Sequence, residues 1–158
     1  MQIGSQARSK LMDRLTAPAG LGAGMADLVQ AGGAAPLVLA QNAAADLVDK
    51  TAGAQYPLVT ACCEKISNDL HEKFRSFSGT VQLAVEVRHS QDRLDGLEDA
   101  LEQYADAVTQ TLTANRGDWG DGMFYAGAYQ VSFGAVKKGG RNFTQAARIT
   151  FEVGVSRS

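Results

Sequence analysis

An alternating strand followed by a long amphipathic helix is the feature that most limits how this chain can fold. From Thr80 to His89, apolar and polar side chains alternate, and the apolar ones are Val81, Leu83, Val85 and Val87. Successive side chains of a strand point to opposite faces, so this pattern predicts one buried and one exposed face. Ser90 follows as a candidate N-cap and Asp92 suits the first helical turn, so we expect a helix from there to about Thr113.

The predicted helix has an apolar stripe beside a strongly acidic face. The stripe is about 100° wide and comprises Leu94, Leu97, Leu101, Tyr104, Ala105, Val108 and Leu112. The adjoining face carries Asp92, Asp95, Glu98, Asp99, Glu102 and Asp106, against the single base Arg93. This excess of acid fits either a solvated face or a surface that binds a partner.

Further periodic segments complete a predicted α+β fold. Ile3, Ala7, Leu11 and Leu15 mark one face of an N-terminal helix over residues 1–16, and strands are predicted at 57–66, 129–136 and 147–155. Polar or glycine-rich composition predicts loops at 67–79 and 115–127. The order of elements predicts a mostly antiparallel sheet of about four strands with helices packed on one face.

Large side chains are distributed unevenly along the 158 residues, which we interpret as one domain. All 11 aromatic residues lie in 56–158, which we therefore expect to form the main α+β core. Residues 17–55 are rich in Ala and Gly, and we expect a variable, arm-like segment there. Within it, Leu21 and Met25 fit a short helix, and residues 36–39 fit a short strand or an extended crossing.

Several classes of protein are not expected from this sequence. The longest purely apolar run, 34–40, is far too short to span a bilayer, and the N-terminus lacks the apolar core of a secretory signal. Cys62 and Cys63 are adjacent, so their side chains are expected on opposite faces of a strand as two reduced, partly buried thiols. The formal net charge of −2 indicates no bulk attraction to nucleic acid or acidic membrane.

No enzymatic constellation is found, and we expect neither a catalytic site nor a bound metal or cofactor. The chain has no nucleophile elbow, no phosphate-cradling loop followed by lysine, and no paired-histidine helix. Asp118 and Asp121 lie in a glycine-rich loop, but the oxygen ligands that calcium needs at fixed offsets are absent. His71 and His89 are interpreted as solvated surface residues.

A basic segment near the C-terminus complements the acidic helix face. Lys137, Lys138 and Arg141 lie in a predicted hairpin loop, which is either an ordinary turn or a binding surface. A protomer with opposite charges on two elements can join head to tail, and such contacts close into a ring when the rotation permits. The candidate interface residues are Asp95, Glu98, Asp99, Glu102, Asp106, Lys137, Lys138 and Arg141.

The order of elements resembles the tail terminator (tail-completion) proteins of long-tailed bacteriophages. The resemblance rests on the segment Tyr56-Pro57-Leu58-Val59, the Gly79-preceded strand to Val87, the helix with Leu94, Leu97, Leu101, Val108 and Leu112, and the final Ile149-Thr150-Phe151-Glu152-Val153. It covers most of the chain from Tyr56 onward and, more loosely, the first helix. The long insert at 17–55 departs from the family pattern and suggests an arm that reaches a neighbouring subunit.

The resemblance implies a structural role in the tail-neck region of the virion. It implies a ring-forming protomer, typically in a ring of six, that stops growth of the tail tube. The implied partners are other copies of the chain, the tail-tube protein and a head-completion or connector protein. Genomic DNA passes only in transit through the lumen, and no membrane is involved.

Two alternatives remain open at this point. Another neck or head-completion protein shares the ring of small protomers but is more often helical or a small β-barrel. A cytoplasmic ligand-binding α+β module instead predicts a monomer or dimer with a concave apolar pocket.

Overall fold

A computed structural model describes residues 2–26, 37–40 and 56–158, with only the backbone described for 37–40. Three helices fall within these ranges: α1 (Ile3–Thr16), α2 (Leu21–Gly24) and α3 (Leu97–Ala114). The eight strands are β1 (Leu37–Ala40), β2 (Leu58–Asn68), β3 (Phe77–Gln91), β4 (Gly117–Gly120), β5 (Met123–Tyr125), β6 (Gln130–Phe133), β7 (Lys137–Gly139) and β8 (Asn142–Arg157).

The described strands form one eight-stranded sheet, twice the number predicted. Its main path runs β1-β2-β3-β8-β5-β4, and β6 and β7 also pair with β8. All described pairings are antiparallel except that of β1 with β2. The α+β class and the mostly antiparallel sheet are therefore confirmed, whereas the expectation of about four strands is wrong. The additional strands are short segments in the glycine-rich regions, where periodicity has too few residues to show.

The core lies between the helices and one face of the sheet, here called the inner face. The predicted alternation in β3 and β8 is confirmed, because Val85 pairs with Ile149 and Leu83 with Phe151, and all four side chains are buried. Helices α1 and α3 both pack against these strands, and their buried residues join the same core. The helices within the described ranges thus lie on one face, as predicted.

The start of α3 differs from the prediction. Ser90 remains in β3, where it pairs with Thr144, because β8 is long enough to take up the backbone hydrogen bonds of this segment. The helix begins at Leu97, after Gly96 in a left-handed conformation with φ of 77°. Leu94 is consequently 56% exposed instead of joining the apolar stripe, while the other predicted stripe residues are buried.

The predicted loop at 115–127 is instead a β-hairpin that contributes to the core. Trp119 and Tyr125 are buried, and their rings lie 5.8 Å apart between centroids. Phe151 contacts Tyr125 edge to face at 5.1 Å, and Trp119 Nε1 donates a hydrogen bond to Asn115 O. Burial of these aromatic rings outweighs the turn preference of the surrounding glycines.

Parts of the segment at 17–55 are built into the fold. Leu21 and Met25 are fully buried in the core, and α2 packs on α3. Strand β1 pairs in parallel with the first residues of β2. The remainder of this segment, at 27–36 and 41–55, lies outside the described residues, so the subunit-bridging arm stays a prediction.

Candidate subunit interface

The acidic helix face is exposed along α3 and the turn before it. Its residues Asp95, Glu98, Asp99, Glu102 and Asp106 are all exposed. Within the described part of the chain, no hydrogen bond or ion pair engages their carboxylates. Glu98 and Asp99 lie in the first turn, where acids stabilise a helix through its dipole, so part of this charge has a local structural use.

The basic hairpin consists of Lys137, Lys138 and Arg141. Strand β7 holds both lysines and Arg141 lies in the turn to β8, and all three residues are exposed. Lys138 Nζ lies 5.4 Å from the ring centroid of Phe143, a cation–π contact that positions its side chain.

The two sets of candidate residues lie on different elements, one on α3 with the turn before it and the other on the hairpin of β7 and β8. β7 pairs with the first residues of β8, and these pair with the last residues of β3, from which the chain continues toward α3. Among the residues described, no ion pair joins the acidic helix face to the basic hairpin. Within the described residues, the two surfaces therefore do not pair with one another.

An open sheet edge is the feature that periodicity did not reveal. We define it as residues 129–139, which include β6 and β7. These strands pair with β8 on one side, and no described strand pairs with their other side. Every residue from 128 to 142 is exposed.

The inner face of the open edge is apolar. Val131 pairs with Ile149 and Phe133 with Ala147, so both lie on the inner face of the sheet. Val131 is nevertheless 36% exposed and Phe133 40% exposed, because the helices cover β3 and β8 rather than the strands beyond them. The strand predicted at 129–136 is confirmed only for Gln130–Phe133.

The outer face of the sheet, opposite the helices, carries a charge cluster of Glu64, Glu86, Arg88 and Arg148. Arg148 forms ion pairs with Glu64 on β2 and with Glu86 on β3, the latter at 3.2 Å. Arg88 also forms an ion pair with Glu86. Two acids and two bases compensate one another across three strands, so this cluster fixes strand alignment rather than presenting a net charge.

A cavity of about 540 Å³ lies on the same outer face, beside the chain that connects β5 to β6. Phe124 and Tyr129 line it and are 55% and 43% exposed. Thr80, Gln82, Thr150 and Glu152 also line it, from β3 and β8. The cavity combines aromatic surface with a polar floor, an arrangement suited to receiving an aromatic side chain.

The remaining candidate residues serve local structure. Asp121 pairs with Lys10 at 2.9 Å, which holds the pKa of this carboxyl below its usual value. Asp118 accepts a hydrogen bond from the backbone N–H of Gly120. His71 is exposed beside Asp69, as predicted, whereas His89 is half-buried against Tyr104, with ring centroids 5.1 Å apart.

Burial shifts the pKa of two further groups, the imidazole of His89 and the thiol of Cys63. The pKa of His89 is lowered because burial disfavours the charged imidazole, partly opposed by a hydrogen bond with Gln91. Cys62 is buried and Cys63 half-buried, and both are free thiols. Burial also raises the pKa of Cys63, which makes its thiolate scarcer and its thiol less reactive.

No protein-family model matches this chain, and no curated protein is significantly similar to it. Within the described residues, no helix is both long and apolar enough to cross a membrane. The functional argument therefore rests on the surfaces described above.

The exposed apolar residues that sequence patterns did not single out as a surface are Phe124, Tyr129, Val131 and Phe133. The alternation of Tyr129, Val131 and Phe133 predicted a strand, which is confirmed in part as β6. Nothing in the pattern indicates whether a helix covers that strand, because coverage depends on where α3 crosses the sheet.

Proposed function

We propose that this chain is a structural subunit of a ring at the head–tail junction of a long-tailed bacteriophage, in the role of a tail terminator. Copies associate head to tail, typically as a ring of six, and the ring caps the tail tube. One side of the ring contacts the tube and the other a head-completion or connector protein. DNA passes through the lumen without being held there.

The open edge is the observation that carries this proposal. An exposed strand edge with apolar side chains is a template for pairing with another chain, and proteins that remain monomeric usually protect it. Here, Tyr129, Val131 and Phe133 stay 36–43% exposed along the edge of a sheet whose central strands are covered by helices on the inner face. A second copy that added a strand at this edge would satisfy the backbone groups and remove these side chains from water.

Charge complementarity supports self-association in particular. The acidic helix face and the basic hairpin belong to the same chain, and no ion pair joins them among the residues that the structure describes. Contact between unlike surfaces on two copies is heterologous, which is the type of interface that generates rings. The lysines at the edge have a second effect, since they discourage uncontrolled edge-to-edge pairing.

The alternatives predict different assemblies. Other neck proteins are more often purely helical or small β-barrels. A sheet with helices on one face fits a terminator better than it fits those proteins. A ligand-binding module would use the cavity on the outer face for a small molecule and would leave the open edge unused. Electron microscopy separates these alternatives.

The decisive experiment is cryo-electron microscopy of tailed particles assembled with this protein. A ring of its density between the tail tube and the connector supports the proposal. Density at any other position, or particles complete without the protein, rejects it.

A variant links the assembly to the open edge. Val131→Lys combined with Phe133→Lys places two charges on the apolar side of β6, and we expect it to fold but not to form the ring. Thr113→Lys adds charge at an exposed position on α3 and is the control. Rings that form normally from the double variant would exclude the open edge as the subunit contact.

A further inference from the structure

We propose that Phe74, at the tip of the loop between β2 and β3, inserts into the outer-face cavity of a second copy of this chain. This inference deepens the proposed self-association and depends on it for the identity of the occupant. It adds a contact of Phe74 with the cavity, whose lining shares only Tyr129 and Gln130 with the open edge.

Phe74 is presented to solvent in an unusual way. Its side chain is 101% exposed, and its backbone is left-handed with φ of 68°. Leu70 in the same loop is 58% exposed with φ of 50°. A large side chain in this region is strained, and such strain concentrates at functional sites.

The loop is held in place by its own hydrogen bonds. Asn68 donates from Nδ2 to Ser76 O and accepts at Oδ1 from the backbone N–H of Ser78. Ser78 Oγ accepts from the backbone N–H of Glu72, and Glu72 pairs with Arg75 at 3.1 Å. A loop fixed in this way loses little conformational entropy when its tip becomes buried.

The cavity on the outer face has the size and surface to receive a phenyl ring. Its volume of about 540 Å³ exceeds that of one aromatic side chain. Phe124 and Tyr129 provide exposed rings, and aromatic rings attract one another edge to face or in offset stacks. The full exposure of Phe74 shows that its own cavity does not hold it.

Charges beside the two features favour a second copy as the partner. Lys73 precedes Phe74 in the loop, and Glu152 lines the cavity. Within the described part of the chain, neither side chain makes an ion pair. Insertion of Phe74 into another copy brings Lys73 toward the Glu152 of that copy, so one chain carries both halves of a complementary contact.

The first test measures self-association of the full chain by sedimentation velocity over a concentration series. Phe74→Ala is expected to weaken association about 10- to 100-fold, the loss typical of a buried aromatic anchor. Phe74→Gly relieves the left-handed backbone and is expected to weaken association equally while unfolding no more easily. Ile66→Ala removes an apolar side chain that is 51% exposed on the inner face, and this control is expected to associate normally.

The second test exchanges charges. Lys73→Glu and Glu152→Lys are each expected to weaken association about two- to fivefold, and the double variant is expected to recover it. Association recovers in the double variant only if the two positions meet across an interface. A general effect of charge on association would not produce this recovery.

The outcomes separate this inference from the proposed function. Unchanged association of Phe74→Ala and Phe74→Gly overturns the inference, and so does a wild-type chain that is monomeric at every concentration. If Val131→Lys with Phe133→Lys abolishes the ring but the Phe74 variants retain it, the proposed function stands without this contact. If only the Phe74 variants lose association, the inference stands and the open edge is excluded.

Discussion

At the scale of single residues, Gly79 marks a close approach between two strands. It pairs with Asn68 across β2 and β3, and a Cβ added there would lie 1.8 Å from Ser67 O. No relaxation of a side chain relieves this contact, because the obstructing atom belongs to the backbone.

We therefore expect Gly79→Ala to lower the free energy of unfolding by more than about 2 kcal/mol. Gly139→Ala in β7 is the matched control, because an added Cβ there meets no atom within 4 Å. Urea denaturation followed by circular dichroism measures both. Equal stability of the two variants would show that β2 and β3 are not this close.

His89 predicts a pH dependence of stability. Its pKa is lowered in the folded chain, mainly by burial beside Tyr104, whereas the unfolded chain binds the proton near the ordinary value of 6.5. Below about pH 6.5, the unfolded state therefore binds more protons than the folded state. The free energy of unfolding that His89 contributes at neutral pH is lost as the pH falls through about 6.5.

Replacement of the imidazole tests this assignment. His89→Gln is expected to flatten the change in unfolding free energy between about pH 7 and pH 5. His71→Gln, at an exposed position, is the control and is expected to keep the wild-type slope. A wild-type slope in His89→Gln would exclude His89 as its source.

At the scale of elements, the start of α3 determines which leucines stabilise the fold. Leu101 is fully buried in the second turn, whereas Leu94 precedes the helix and is 56% exposed. The turn before the helix is closed by Gln91, whose Nε2 donates to Arg93 O and Asp95 O. These hydrogen bonds hold the chain in a turn, so a continuous helix cannot form at these residues.

Alanine substitutions distinguish the observed start from the predicted one. Leu101→Ala is expected to cost about 2–5 kcal/mol, because it leaves a cavity in the core. Leu94→Ala is expected to change stability by no more than about 0.5 kcal/mol. Thermal and urea unfolding give both values, and a large loss for Leu94→Ala would place it inside the helix as the sequence predicted.

At the scale of the whole molecule, the proposed assembly would bring together two surfaces of opposite charge. The acidic helix face and the basic hairpin occupy different elements and attract opposite charges. If they meet across subunits, the attraction is between copies and is weakened by salt over a distance of about 10 Å at 0.1 M.

Reversal of both surfaces tests this pairing. Reversing Lys137, Lys138 and Arg141 to Glu is expected to abolish self-association, and adding Glu98→Lys, Glu102→Lys and Asp106→Lys is expected to restore it. Sedimentation at low and high salt measures each variant, with circular dichroism to confirm folding. Failure of the combined variant to associate would show that these surfaces do not contact one another.

The fold class and the central packing follow from local patterns in the sequence. Val85 and Ile149 lie on the buried faces that their alternation predicted, and Leu101 lies in the predicted apolar stripe of α3. These predictions succeed because a period of two or 3.6 over many residues leaves one arrangement that buries the apolar side chains together.

Contacts between distant segments set where the strands end and which strand remains uncovered by a helix. Ser90 stays in β3 because β8 supplies its hydrogen bonds, and Trp119 is buried because Phe151 lies beneath it. Val131 is exposed although its pattern matches a buried strand, because α3 covers β8 and not the edge beyond it. These outcomes depend on contacts between distant segments, which no local pattern encodes.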